Sequence, residues 1–202
     1  MTNHRKADYP IHEMFLDRWS PRAFTNQPIT QEELFTMLEA ARWAASSYNS
    51  QPWRFLYALR DTSAWERFLS LLVPFNQSWA KKSSALVFMV SSPTMRSPRS
   101  GIEVPSPTHS FDAGTASGYF ALQASLMGWC VHGMAGFDAE RAFEELNIPK
   151  GYKVEAVYAV GKKGDPAGLP EELRARELPS DRRSLAELAF EGGLAGVTDR
   201  PI

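Results

Sequence analysis

The sequence predicts an α+β fold, a single domain in which helices cover one sheet, and three observations carry that expectation. A length of 202 residues with 44% hydrophobic and 12% aromatic content suffices to bury a sizeable core, and is ordinary for one domain. Residues 54–60, 85–90 and 154–160 are short runs rich in Phe, Val, Leu and Tyr, and read as three strands of one sheet. Around and between them, apolar residues recur at helical spacing.

Taken in order, Ile11, Met14 and Phe15 predict an early helix running into Arg18. Thr30-Gln31-Glu32-Glu33 has the form of a capping box, and Leu34, Met37, Leu38 and Ala41 follow at helical spacing, so a helix spans about 31–44. It delivers the chain to Ser46. Ser63 to Val73 reads as a helix with Trp65, Phe68, Leu69 and Leu72 on one face. Pro93 to Pro107 contains four prolines, several serines and Gly101, a composition that opposes strand and helix and predicts a long mobile loop. Asp112 is placed to cap a helix over about 113–127, where the small residues Ala113, Gly114, Ala116 and Ser117 admit a close neighbour. Asp138 caps a further helix ending near Asn147. After Gly164, three breakers (Pro166, Gly168 and Pro170) precede a mixed-charge helix to about 190, and this tail reads as an arm. There are no internal repeats.

The formal net charge is −1, from 22 basic and 23 acidic side chains well mixed along the chain, which argues against nucleic acid and anionic membranes as partners. Cys130 is the only cysteine, so there is no internal disulfide framework and no multi-cysteine zinc site; a reducing compartment fits. Met1 to Pro10 carries charge and no apolar run, and no stretch approaches the roughly 18 apolar residues of a spanning helix. The expectation is a soluble, unexported, cytoplasmic chain.

Two polar clusters bracket the 31–44 helix. Before it stands Arg18-Trp19-Ser20-Pro21-Arg22-Ala23-Phe24, in which Arg18 and Arg22 read as forked cations one helical turn apart with a hydroxyl between them, suited to a phosphate. After it stands Ser46-Ser47-Tyr48-Asn49-Ser50-Gln51-Pro52-Trp53. Ser46, Ser47, Asn49 and Gln51 offer neutral donors and acceptors suited to the polar edge of a planar heterocycle. Singly, the arginines are ordinary exposed charges and the loop is an ordinary helix-ending turn. Together they suit one ligand with a phosphate at one end and a hydrogen-bonding ring at the other, and flavin mononucleotide (FMN) is such a ligand.

In order and spacing, Arg-x-Ser-x-Arg-x-Phe at 18–24 and Ser-Ser-x-Asn-x-Gln-Pro-Trp at 46–53 resemble the flavin-dependent nitroreductase family. The resemblance continues through Asn76, residues 133–138 and the pair Arg182-Arg183, and so covers most of the chain. It implies a central, mostly antiparallel sheet flanked by helices, and an intertwined homodimer with two FMN sites at its interface. Each chain is then one FMN-binding domain with a C-terminal arm from about 164. The resemblance also implies roles. Arg18 binds the phosphate, with Trp19 beside it and Ser20 bonding along the phosphate and ribityl chain; Arg22 lies near the flavin N1 and O2 edge. Ser46, Ser47 and Asn49 reach a flavin held mainly by the partner subunit. Gln51 and Asn76 face the ribityl chain or pyrimidine edge. Met134, Ala135 and Gly136 turn backbone N–H groups toward N5 and O4, and one of Arg182 and Arg183 completes the phosphate site. Departures from the family pattern are Trp79 where a second cation often stands, Ala135 where an acidic residue is common, and Ala45 where proline is usual.

The implied reaction is ping-pong: NADH or NADPH gives hydride to flavin N5, and a nitroaromatic, quinone or similar acceptor then takes it. Dehalogenation, enone reduction and non-catalytic FMN binding or storage remain open alternatives, as does the role of Tyr48 and the 93–107 loop in shaping a substrate pocket. There is no Ser-His-Asp set, phosphate-loop pattern or dinucleotide fingerprint, so the hydride chemistry depends on the flavin. His132 has no second ligand at metal spacing and reads as a packed, locally bonded histidine. Cys130, between Trp129 and Val131, reads as an inert small hydrophobe.

Overall fold

The computed structural model describes residues 4–194. The first helix, α1, is a single turn, Met14–Asp17, and stops where Arg18 becomes extended at φ −67°, ψ 121°. Pro21 biases its predecessor Ser20 to extended backbone, so residues 18–22 form no helix. Arg18 and Arg22 therefore sit on an extended segment, not one helical turn apart as the spacing suggested. Helix α2, Gln31–Arg42, starts on the expected capping box: Thr30 Oγ1 accepts from Glu33 N at 3.1 Å, and Glu33 Oε2 accepts from Thr30 N at 2.9 Å. Leu34, Met37 and Ala41 are fully buried along it. A 3₁₀ turn, Ser47–Asn49, leads into strand β1, Trp53–Leu59.

The expected 63–73 helix is shorter, α3 spanning Trp65–Ser70, because Leu72 leaves the helix to bridge Phe137. A helix absent from the sequence reading, α4, follows at Pro74–Ala80; proline at its first position sacrifices only an N–H that has no intrahelical partner there. Strand β2 is Ala85–Ser91. The expected 93–107 loop contains a two-stranded antiparallel ribbon, β3 Thr94–Arg96 with β4 Glu103–Pro105. Its prolines stand before β3, in the turn and at the end of β4, where no interior ladder bond is lost.

Helix α5, His109–Leu126, begins four residues before the expected start. Asp112 is consequently inside the first turn, not capping it, and its carboxylate accepts from Ser47 N at 3.2 Å and Thr108 Oγ1 at 3.1 Å. Strand β5, Cys130–Met134, precedes α6, Ala139–Glu145, which Asp138 caps through Arg141 N as expected. Strand β6 is Lys153–Gly161. Past it the chain passes Phe24 so closely at Gly164 that a Cβ would stand 2.7 Å from the Phe24 carbonyl carbon. The expected mixed-charge helix to 190 does not form: the arm holds 3₁₀ turns at Pro166–Gly168 and Leu185–Glu187 and one turn of helix, α7, Glu171–Arg174.

The main sheet has the order β1-β2-β6-β5 and is antiparallel throughout. Helices cover both faces, which explains why every residue of β2 is buried. Leu86, Phe88 and Val90 face one core with Phe68, Leu71, Trp79 and Leu173. Val87 and Met89 face a second core with Leu34, Met37, Phe120 and Ala124, so α2 and α5 lie on that side. The fold is thus the α+β arrangement with a mostly antiparallel sheet that the sequence implied.

Candidate functional site

The extended segment 18–22, strand β5, the N-terminal residues and the arm meet around a cleft of about 330 Å³. Arg5, Arg18, Arg22, Arg176 and Arg182 line it, with Trp19, Ser20 and His132 between them. Arg5 acts as the clasp: its guanidinium donates to the carbonyls of Leu16 at 3.0 Å, Arg18 at 2.8 Å and Ser180 at 2.8 Å. Arg18 Nη1 donates to Ser20 Oγ at 3.4 Å. Burial pushes the Arg18 pKa down, and repulsion from Arg5 and Arg182 adds to it. Arg18 remains a cation, held where an anion would relieve that strain. Trp19 lies under Lys163, whose Nζ is 5.7 Å from the ring centroid.

Arg22 is partly buried and leans on Glu177 of the arm. Glu177 Oε1 accepts from the backbone N–H groups of Arg22 at 2.7 Å and Ala23 at 2.8 Å, while Oε2 lies 4.0 Å from Arg22 Nη1. Burial lowers the Arg22 pKa, Glu177 raises it and Arg176 lowers it again. His132 faces the same cleft from β5, and its Nδ1 hydrogen-bonds the Pro21 carbonyl at 3.1 Å. Its ring packs 4.7 Å from that of Trp79. Burial, then the charge of Arg22, drives its pKa down to about 4, so it is neutral at pH 7, a packed histidine as expected. Arg182 is held by Ser180 and the Asp181 carbonyl at the rim; Arg183 is exposed and outside the lining.

A second cleft of about 370 Å³ shares Arg18 and Ser20 with the first and runs onto the small-residue face of α5 at Ser117, Gly118 and Ala121. Tyr158 closes it, its hydroxyl 2.6 Å from Ser117 Oγ. Among the described residues neither cleft is lined by Ser46, Ser47, Asn49 or Gln51. The loop they form is tightly folded on itself, with Gln51 N donating to Ser46 Oγ at 3.0 Å and Gln51 Nε2 to the Asn49 carbonyl at 3.1 Å. Tyr48, Asn49 and Gln51 all have positive φ, at 52°, 54° and 46°, a conformation costly for side chains other than glycine. Tyr48 is 72% exposed.

Asn76 lies inside α4, not in a loop, and is buried; its Nδ2 donates to the Gly136 carbonyl at 2.9 Å. A Cβ on Gly136 would stand 2.7 Å from that Nδ2 and 2.9 Å from Val73 Cγ2. The chain's own packing therefore demands the glycine. Met134 is buried at the end of β5 and Ala135 is exposed beside it. Cys130 is half-buried with its thiol pKa pushed up by burial, which suits an inert side chain. Arg5, Arg176 and Glu177 were missed in the sequence. Arg5 belongs to a short basic run, whereas nothing local distinguishes Glu177 from any arm carboxylate. Among the described residues no cluster of His, Cys, Asp or Glu could hold a metal ion, and no helix is long and apolar enough to cross a membrane.

Fold and cleft together define a class: an antiparallel α+β domain with a concentrated basic cleft where the 18–22 segment, β5 and the arm meet. Residues 16–162 match the Nitroreductase family. The chain belongs to that family. It is similar to a crystal structure of an oxidoreductase containing FMN, at 48% identity and a TM-score of 0.93, covering 98% of this chain and 99% of that one. It is 28% identical to a Streptomyces coelicolor protein provisionally named NADH dehydrogenase/NAD(P)H nitroreductase, over 78% of this chain and 83% of that protein. An uncharacterised 15.4 kDa protein of Mycolicibacterium smegmatis is 38% identical over 82 residues, 40% of this chain; the match spans 55% of that protein's length.

Proposed function

We propose that the chain is an FMN-dependent oxidoreductase that takes hydride from NADH or NADPH and passes it to a nitroaromatic, quinone or similar acceptor in a ping-pong cycle. The carrying observation is the convergence of Arg18, Arg22 and Arg182 on one cleft; membership of the family and the likeness to an FMN-containing oxidoreductase support the same reading. The residues present fit the cofactor's anionic end: several guanidinium groups meet at a concave surface, with Ser20 adding a hydroxyl.

In this reading Arg18 and Arg182 hold the phosphate and Ser20 bonds beside it, while Trp19 walls the cleft. Arg22 lies toward the N1 and O2 edge, where its fixed charge favours added electron density. The bound flavin supplies hydride acceptance and donation at N5. Met134, Ala135 and Gly136 offer backbone toward that part of the ring, held in register by Asn76. Ser46, Ser47, Asn49 and Gln51 belong to the same site through a homodimer, each loop serving the partner's cleft. The chain's work is orientation, exclusion of water and charge placement, and it needs no protein nucleophile.

The protein should purify yellow, and denaturation followed by chromatography should release one FMN per chain. Release of FAD, or no flavin after reconstitution, would overturn the assignment. Anaerobic addition of NADPH or NADH should then bleach the bound flavin, and an acceptor should restore its colour. A flavin that stays oxidised with both nicotinamides would mark a binding or storage protein instead.

A further inference from the structure

Glu177 is a carboxylate 2% exposed, just past α7 in the arm. Burying a charge to this degree is costly unless an opposite charge and hydrogen bonds compensate it. Compensation here is divided. Oε1 takes the backbone N–H groups of Arg22 and Ala23, at 2.7 and 2.8 Å, and so fixes the backbone that carries the guanidinium. Oε2 has no hydrogen-bond partner among the described residues and faces Arg22 Nη1 at 4.0 Å. Arg22 Nε is likewise buried without a partner among them. The guanidinium is thus held between a buried carboxylate and the cleft, into which its 18% exposed side chain opens.

Arg22 would tune the flavin with its full charge only if no anion opposed it. The geometry shows an anion on its other side, close enough for a strong interaction in a site poorly screened by water. We propose that Glu177 is a positioning residue that aims Arg22 and offsets part of its charge, holding the flavin's reduction potential below the value an uncompensated Arg22 would set. This rests on the FMN reading given above. Reduction adds negative charge at the N1 and O2 edge, so the net field there, not the arginine alone, sets how strongly the reduced form is favoured.

The test separates charge from scaffolding. In Glu177→Gln the amide oxygen still accepts from Arg22 N and Ala23 N, while the negative charge is gone. Spectroelectrochemistry of the FMN-bound variant should show reduced flavin favoured over oxidised by about tenfold more than in wild type, or about 30 mV for a two-electron couple. The same substitution in an Arg22→Leu background should give a smaller shift, because the aiming of Arg22 is then lost and only the direct field of the carboxylate remains. Glu177→Asp keeps the charge but withdraws it by one methylene, and should move the potential in the same direction by less. An unchanged potential in Glu177→Gln, or the same shift without Arg22, overturns the proposal. If Glu177→Gln does not fold, a wild-type potential in Glu177→Asp does so. Wild-type protein that binds no FMN would defeat the functional reading instead, so the two failures are distinct.

Discussion

At the scale of the residue, His132 couples the basic cleft to stability. Its ring is wedged between Trp79 and the Pro21 carbonyl, and burial with the charge of Arg22 brings its pKa from 6.5 down to about 4. The unfolded chain takes up this proton near pH 6.5 and the folded chain only near 4. Its effect is therefore absent above 6.5, and stability is lost as pH falls from there toward 4. The depressed pKa corresponds to a loss of roughly 3 kcal/mol across that window. Urea unfolding at pH 7 and pH 4.5 should show the loss in wild type and a clearly smaller one in His132→Gln. Equal pH dependence in the two would mean that other groups dominate the acid response. The sequence disclosed half of this: a lone histidine without metal-ligand spacing reads as packed, but its neighbour Trp79 is far away in the chain, on a helix the sequence reading lacked.

At the scale of the element, α2 is the most completely written of the helices. Its start is specified by two side chains three residues apart, Thr30 and Glu33, that satisfy each other's backbone N–H. Thr30→Ala removes one half of that box and should cost about 1 kcal/mol in chemical denaturation. A loss near zero would mean that burial of Leu34, Met37 and Ala41 alone holds the first turn. Elements with signals of this local kind were legible: the β1, β2 and β6 runs, the Asp138 cap, the α2 box. Elements defined by partners were not. β5 is five residues containing His132 and Gly133, and becomes a strand only by pairing with β6. The ribbon β3–β4 is short and proline-flanked, and exists through its own pairing. In the site, Arg18, Arg22 and Arg182 stood out because they lie in motifs, whereas Arg5 and Arg176 lie in none and the partner of Glu177 is 155 residues earlier.

At the scale of the whole molecule, the two motif sets stand at different stations along α5. Asp112, in its first turn, ties down Ser47, while Ser117, Gly118 and Ala121 border the cleft that contains Arg18. At about 1.5 Å of rise per residue these stations are roughly 8–13 Å apart along the helix. Two chains whose α5 helices run antiparallel and cross between these two stations would bring the start of one opposite the middle of the other, each loop meeting the partner's basic cleft. Phe111, Tyr119 and Leu126 on α5 are 77%, 44% and 62% exposed, an apolar surface that such a contact would cover. The proposed homodimer therefore predicts complementation. A phosphate-site mutant, Arg18→Ala with Arg22→Ala, and a loop mutant, Ser47→Ala with Asn49→Ala, should each be inactive alone. In a heterodimer of the two, one composite site collects both pairs of lesions and the other collects none. Co-expression should then restore up to about half of the wild-type activity per heterodimer, whereas sites built within single chains would leave every site damaged. Activity that stays at the parental level, with the heterodimer isolated through two different tags, would show that the loop serves its own chain.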